Sequence, residues 1–587
     1  MFSYSTSNLT GVLLLSLGAT STWADYDVPT ATVDAGVLIG KPTLLPNALG
    51  PVHQYLGVPF ASPPKRFSPP QAVVPFREAV IATEFKPACI QQFRCTQDRI
   101  NLRLSEYTLM VVDPLSSSQF TQAVFNNPPP EESEDCLYLN VYAPATPAGG
   151  SGRAVMFWIY GGSLQFGNAG QDTYDGSSFA AYEDVIVVTT NYRTNVFGFP
   201  ASLELARAER NLGFLDQRFA LDWVQRNIHA FGGDASKVTV FGESAGAFSI
   251  DALLTSFSKD SSPPFRAAIL QSGQYSYRAA PQTSSLSAWN NLTTTLGCPG
   301  THASNLTCVR AANATTVRSI INQNSLVFNP VADNTTLVTN PAARRLSGDI
   351  AQIPVLGGTN AQEGRVFQVG QTNLTAYLQA TFGTIAPALI PAIEAAYPIG
   401  SNGLVNAYDV ISQISTEITF QCPQALWANA TASIGIPTWR YYFNASFANT
   451  QAYPQLGAYH ASEIPLVFRT YERANTTTQE YALAQFMQST WARFAKNPYV
   501  GPGWNAVGTG AEGNVLVGAY DLTPGGLFQN QNALVIEGDR NLGVFGDIGD
   551  VRGSGVTVLP QSGLDYRCSL FRPIFEAVVG SQGIPVL

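Results

Sequence analysis

The sequence predicts an α/β protein: a mostly parallel sheet with helices on both faces. Three observations carry this. Apolar, β-rich runs alternate with helix-like segments along the chain. Of the 587 residues 45% are hydrophobic and 12% charged, which is enough apolar material for a large core and too little charge for a disordered chain. No internal repeat or low-complexity linker divides the sequence, so residues 25–587 read as one domain.

Residues 1–24 read as a separate leader. Gly11–Ala19 is a short apolar core, and Thr22-Trp23-Ala24 offers a small-residue cleavage site. This is a secretory signal pattern, although its first residues carry no Lys or Arg. The other reading is an apolar strand or an anchor, but the apolar core is too short to span a bilayer. No later run of about 18 apolar residues appears. The mature protein is therefore expected to be secreted, without a transmembrane anchor. The net charge of −9 suits a soluble protein and suggests no nucleic-acid partner, which would need a basic face.

The elements follow in order. Ala154–Tyr160 and Val185–Thr190 are continuous apolar runs and read as buried strands. Arg218–Phe231 reads as a helix, with Phe219, Leu221, Trp223, Val224 and Ile228 roughly on one face. Lys237–Phe241 is the next strand, Ala245–Phe257 the next helix, and Ala267–Leu270 the strand after it. Ile353–Leu356 and Trp439–Phe443 are later strands. Tyr481–Ala495 is a late helix, with Pro498 as a stop beyond it. Ser258–Pro264 and Gly297–Thr307, rich in turn residues, read as surface loops.

Ser244 stands in Phe241-Gly-Glu-Ser-Ala-Gly246, between a strand and a helix. A turn that sharp needs small residues two before and two after the Ser, and Gly242 and Gly246 supply them. Such a turn exposes the hydroxyl as a nucleophile. A Ser hydroxyl needs a base, and the chain has four His. His302 lies in a loop between Cys298 and Cys308, read as a surface hairpin. His229 ends a helix, and His53 lies on an early strand. His460, on a loop after a strand, is the one that follows the nucleophile in the order Ser, acid, His. The acid that orients it is expected to be Glu363, in Leu356-Gly-Gly-Thr-Asn-Ala-Gln-Glu-Gly364, a tight loop at a strand end. Asp333, Asp349 and Asp409 are alternatives that follow no strand so closely. Gly161-Gly162, after the strand at 154–160, can leave backbone N–H groups unpaired. With the N–H of Ala245 they would form an oxyanion hole.

These segments resemble the type-B carboxylesterase/lipase family, which includes cholinesterases and fungal extracellular lipases. The resemblance runs from Tyr55-Leu-Gly-Val-Pro-Phe-Ala61 to Trp491–Pro498. It is carried by Ser133-Glu-Asp-Cys-Leu-Tyr-Leu-Asn-Val141 and by Phe231–Asp234 through Phe241–Gly246. It implies the α/β-hydrolase fold, Ser244, Glu363 and His460 as a triad, and Gly162, Ser163 and Ala245 as oxyanion donors. It implies an Arg66–Glu134 ion pair and the disulfides Cys89–Cys136, Cys298–Cys308 and Cys422–Cys568. Cys95 is then the odd thiol among seven, a possible competitor for Cys89. The family commonly has Gly where Ser163 stands, which matters if the position needs positive φ. Asn126-Asn127-Pro128 stands where cholinesterases carry an aromatic residue, so a choline ester is not the first expectation.

The expected function is a secreted serine ester hydrolase working through an acyl-enzyme, without metal or organic cofactor. Its substrate would be a small-molecule or lipid ester. The N-x-Ser/Thr acceptors Asn291, Asn305, Asn313, Asn334, Asn373, Asn429, Asn444 and Asn475 allow N-glycans. Two alternatives stay open. Ile100–Val112, between Cys89 and Cys136, is either a lid over the site, as in an interfacial lipase or sterol esterase, or a helix packed on the core. The other alternative is a catalytically inactive, cholinesterase-like adhesion protein. The intact triad and the lack of an anchor at Gly583–Leu587 weigh against it.

Overall fold

The computed structural model describes residues 28–48, 50–93, 117–277, 285–299, 302–383, 386–401, 403–507, 542–545, 556–559 and 564–580. The leader at 1–24, Cys95, Ile100–Val112 and Gly583–Leu587 lie outside them. An eleven-stranded sheet forms the centre. Its strands are β1 (Lys41–Thr43), β2 (Val52–Pro59), β3 (Tyr138–Pro144), β4 (Arg153–Ile159), β5 (Ile186–Thr190) and β6 (Gly233–Glu243). They continue as β7 (Ala267–Gln271), β8 (Val355–Asn360), β9 (Thr438–Phe443), β10 (Leu542–Phe545) and β11 (Val556–Leu559). The spatial order is β11-β10-β9-β8-β7-β6-β4-β5-β3-β2-β1. All pairs from β5 through β10 are parallel, and the outer pairs are antiparallel. A second sheet of Thr30–Val33, Gly36–Ile39 and Val80–Ile81 flanks it.

The continuous apolar runs became central strands for a simple reason. Helices cover both faces of a parallel sheet, so every position is buried. Every residue of β4, β5 and β7 is buried. Trp158, Phe241 and Phe468 pack ring to ring at 4.8–5.7 Å beneath the ends of β4 and β6. The helices used below are α1 (Ser117–Phe125), α2 (Leu212–Asn227), α3 (Ala245–Ser256) and α4 (Thr478–Lys496).

Four expectations need correction. The helix read at 218–231 is α2, which starts earlier and stops at Asn227; a tight 3-10 turn, Ile228–Phe231, then carries His229. The strand read at 237–241 runs from Gly233 to Glu243. The strand read at 353–356 is β8, so Gly357 and Gly358 lie inside the sheet and not in a loop. They are small because of their neighbours: a Cβ on Gly358 would sit 2.3 Å from the Tyr441 ring, and one on Gly357 2.6 Å from Gln424 Nε2. His302 opens a helix, His302–Ala311, where a hairpin was expected. Its Cys308 reaches back to Cys298. The pairs Cys89–Cys136 and Cys422–Cys568 also form. Arg66 Nε donates to Glu134 Oε2 at 2.7 Å, as the family resemblance implied.

One buried group ties the sheet's helices to the loop after β7. Asp251 on α3 is fully buried and pairs with the equally buried Arg345. It also accepts from Trp427 Nε1 at 2.8 Å and from the backbone N–H groups of Tyr275 and Ser276 at 2.8 and 2.7 Å. Removing one member of such a pair strands the other charge without water. Asp251→Ala should therefore lower the unfolding free energy by about 3–5 kcal/mol. Urea titration measures this, and a loss under about 1 kcal/mol, the scale of an exposed pair, would show the site to be solvated.

Candidate active site

Ser244 sits where β6 ends and α3 begins, with φ 54° and ψ −117°. That conformation strains a non-Gly residue by about 1–3 kcal/mol. The surroundings hold it there. Ser244 N–H donates to Gln271 O at 2.8 Å, and its carbonyl accepts from Phe248 N–H at 2.9 Å. The turn presses against the end of β4: a Cβ on Gly246 would lie 1.9 Å from the Ile159 carbonyl oxygen, and one on Gly242 2.5 Å from it. Both glycines are steric requirements.

His460 lies on the loop after β9 and is 4% exposed. Its Nδ1 is 2.6 Å from Glu363 Oε2. Glu363 is fully buried just past β8, and its other oxygen accepts from Asn360 N–H at 2.7 Å. The strand end thus fixes the carboxylate before it meets the ring. Asp333, Asp349 and Asp409 are occupied elsewhere. Asp333 caps the turn at 335–337, Asp349 pairs with Arg344, and Asp409 pairs with Arg365. The other ring nitrogen, Nε2, is 3.0 Å from Glu243 Oε1. The two are within ion-pair reach, but Glu243 Oε1 makes no aligned hydrogen bond. Among the described residues no hydrogen bond joins Ser244 Oγ to the ring, though both line one cavity.

The electrostatics follow from burying three carboxyl groups together. Desolvation alone would lower the His460 pKa, but Glu243 and Glu363 outweigh it and hold it well above the ordinary range. Burial pushes Glu243 up, against the pull of the facing ring. Glu463, three residues after His460, is fully buried. Burial, with repulsion from Glu243 and Glu363, pushes it up to about 8. Gln271 Nε2 donates to it at 3.0 Å and Asn360 Nδ2 at 2.6 Å. Sequence reading did not single out Glu463. The His-x-x-Glu spacing was the available signal, but only packing shows that the side chain turns inward.

The segment after β4 supplies the electropositive wall. Gly162 has φ 100° and Ser163 φ 57°. Ser163 therefore does occupy the left-handed region, which costs a non-Gly residue about 1 kcal/mol. A Cβ on Gly162 would meet Phe166 O at 2.3 Å. The N–H groups of Gly162, Ser163 and Ala245 donate no hydrogen bond among the described residues. Ala245 N–H opens a helix, where the first N–H groups have no intrahelical partner. A cavity of about 330 Å³ is lined by Ser163, Ser244, Ala245, Phe420 and His460, among others. Phe420 and Phe367 flank the His460 ring at 4.7 and 5.1 Å, and Phe125 of α1 approaches edge-on at 6.3 Å. Phe420 is placed by a wide turn of π-helix, Glu417–Gln421.

Strand order, the strand–Ser–helix turn and the crevice at the carboxyl ends of parallel strands place the chain among the α/β hydrolases. It belongs to the carboxylesterase family, whose model matches residues 27–521. It is 33% identical to the para-nitrobenzyl esterase of Bacillus subtilis (strain 168), over 76% of this chain and 86% of that protein. It is 30% identical to carboxylesterase 1D of Rattus norvegicus, over 82% and 88%. It is 32% identical to secreted lipase 1 of Botryotinia fuckeliana (strain B05.10), over 76% and 83%. The protein is a carboxylic ester hydrolase of this family.

The buried Glu463 has a measurable consequence. Its folded pKa, about 8, lies above its ordinary value of 4.5. Between those values the native state keeps a proton that the unfolded chain releases. The contribution is full below about 4.5 and is lost as pH rises toward about 8. Urea unfolding at stepped pH should show this decline, and Glu463→Gln should flatten it. An unaltered slope in that variant would assign the decline to another group.

Proposed function

We propose that the protein hydrolyses esters by a Ser244–His460–Glu363 triad through an acyl-enzyme. The carrying observation is the 2.6 Å contact of His460 Nδ1 with a buried Glu363 beside a strained, cavity-lining Ser244. His460 takes the Ser244 proton, and Oγ attacks the ester carbonyl. The N–H groups of Gly162, Ser163 and Ala245 receive the developing oxyanion; preformed donors of this kind supply about 2.7–4 kcal/mol each. His460 then protonates the leaving alcohol. Water, deprotonated by the same ring, releases the acid and restores Ser244. Glu363 holds the tautomer and stabilises the cation. Glu243 adds negative charge at Nε2, so the ring keeps its proton to higher pH.

The same reading places the enzyme outside the cell. Residues 1–24 act as a leader, and residues 25–587 fold as one hydrolase unit. Three disulfides support an oxidising compartment. No helix among the described residues is long and apolar enough to cross a membrane. Asn291, Asn313, Asn334, Asn373 and Asn475 are exposed and suit glycosylation, whereas Asn305 is buried.

One observation favours a second reading, an interfacial lipase. Helix α1 closes the Cys89–Cys136 span, and its Phe120, Val124 and Phe125 join Val366, Leu456 and Tyr459 in a small apolar cluster separate from the main core. Through Phe125, whose ring lies 6.3 Å from that of His460, this apolar cluster adjoins the site.

Ser244→Ala should lower kcat for aryl esters by about 10⁴–10⁶ with the fold retained. Comparable activity in the variant would refute the triad. The same assay with an emulsified triglyceride separates the two readings: a rate jump above the solubility limit marks the lipase, and smooth saturation below it marks the small-ester enzyme. Glu243→Gln should move the acid limb of kcat/KM to lower pH, because the neutral ring is the base and one carboxylate that raises its pKa is gone. A limb that stays put or rises would mean that Glu243 does not face the working ring.

A further inference from the structure

The two walls of the cavity differ in chemistry. On the His460 side stand Phe367 and Phe420. The other wall comes from α3 and the turn after β7, and holds Phe248, Ser272 and Gln274. Under the proposed mechanism, His460 must protonate the leaving oxygen, so the alcohol lies on its side. The acyl group then points toward Phe248 and Gln274.

That wall contains polar groups with no protein partner. Gln274 is 5% exposed, and its Oε1 is buried without a hydrogen bond. Its amide makes none at either end among the described residues. Ser272 is fully buried, and its Oγ is also unpartnered. Burying an amide or hydroxyl without a partner is costly, and native cores rarely tolerate it. The backbone that carries the amide is fixed on both sides of it. Ser272 N–H donates to Gly358 O at 2.8 Å, and Asp251 clamps the two residues after Gln274. Gly273 backs directly onto the nucleophile: a Cβ there would lie 2.2 Å from the Ser244 carbonyl oxygen. Phe248, held edge-on against Tyr275 at 4.8 Å, gives an apolar face beside these polar groups.

We propose that Gln274, with Ser272, selects esters whose acyl group has an apolar body and carries a hydroxyl at its far end. The body lies on Phe248, and the hydroxyl donates to the Gln274 amide oxygen. Gln274 is thus a specificity residue for the acyl side. The inference rests on the triad reading above, which orients the ester.

The test uses two p-nitrophenyl esters with the same leaving group: 3-(4-hydroxyphenyl)propanoate and 3-(4-methylphenyl)propanoate. The acyl groups match in size and differ in the hydroxyl. The full-length protein should favour the hydroxyl ester in kcat/KM by about tenfold or more, since a site that hydrogen-bonds a hydroxyl rejects the analogue lacking it. Gln274→Met should bring the ratio to near one while still hydrolysing the methyl ester. Ser272→Ala, a smaller change, should reduce the ratio in part, and keeps the test open if the Met variant folds poorly. A ratio near one in the unaltered protein, or a preference that survives Gln274→Met, would overturn the proposal; an ordered water would then be the partner of the amide. Hydrolysis of neither ester by the unaltered protein would overturn this inference and the triad reading together. Hydrolysis of both without preference overturns this one alone.

Discussion

The closeness of the β6–α3 turn to the end of β4 governs the whole site. Backbone meets backbone there, with room for no side chain at 242 or 246. The approach forces Ser244 to φ 54° and turns its hydroxyl into the cavity. It sets Ala245 N–H beside the Gly162–Ser163 segment, which leaves the end of the same β4. A strained turn survives only where its surroundings over-determine it. Here the Trp158–Phe241–Phe468 packing and the Gln271 and Phe248 hydrogen bonds do so.

A second constraint is electrostatic. Two glutamates, Glu243 and Glu363, face one imidazole, and a third, Glu463, is buried close enough to both to feel their charge. They cannot all be charged at low cost. Glu363 is held by Asn360 N–H and the ring, whereas Glu463 keeps its proton to about pH 8. Asn360 at the end of β8 joins the two, its backbone N–H on Glu363 and its side-chain amide on Glu463, and Gln271 at the end of β7 also donates to Glu463. The parallel sheet is what makes this possible, because consecutive strands end on one edge and deliver their donors to one place.

Much of this was legible before any coordinates. The apolar runs at 154–160, 185–190 and 267–270 read as buried strands because central parallel strands are covered on both faces. Ser244 was legible because Gly-x-Ser-x-Gly in a strand–helix context has a steric cause. His460 was legible because only four His had to be sorted. Other features were not legible for equally physical reasons. Gly357-Gly358 looked like a loop, since nothing local shows that Tyr441 of the neighbouring strand and Gln424 of a covering helix crowd these two positions. His302 looked like part of a hairpin, since two cysteines ten residues apart close a loop as readily as they tie a helix to it. Glu463 has only its spacing from His460 to mark it and Gln274 has no pattern; both matter because packing buries them.

By itself the sequence determined the local shapes: where strands and helices alternate, where the chain must turn without a side chain, and which residue types can carry acyl transfer. Those depend on contacts a few residues apart, so periodicity and glycine placement record them. Only the tertiary structure decided what stands opposite what. It brought Glu363 to Nδ1 and Glu243 to Nε2 of one ring, put Ser163 in the left-handed region, and left the Gln274 amide buried without a partner. These are pairings across 97 and more residues or voids between elements, and both arise only when the sheet assembles and the water leaves.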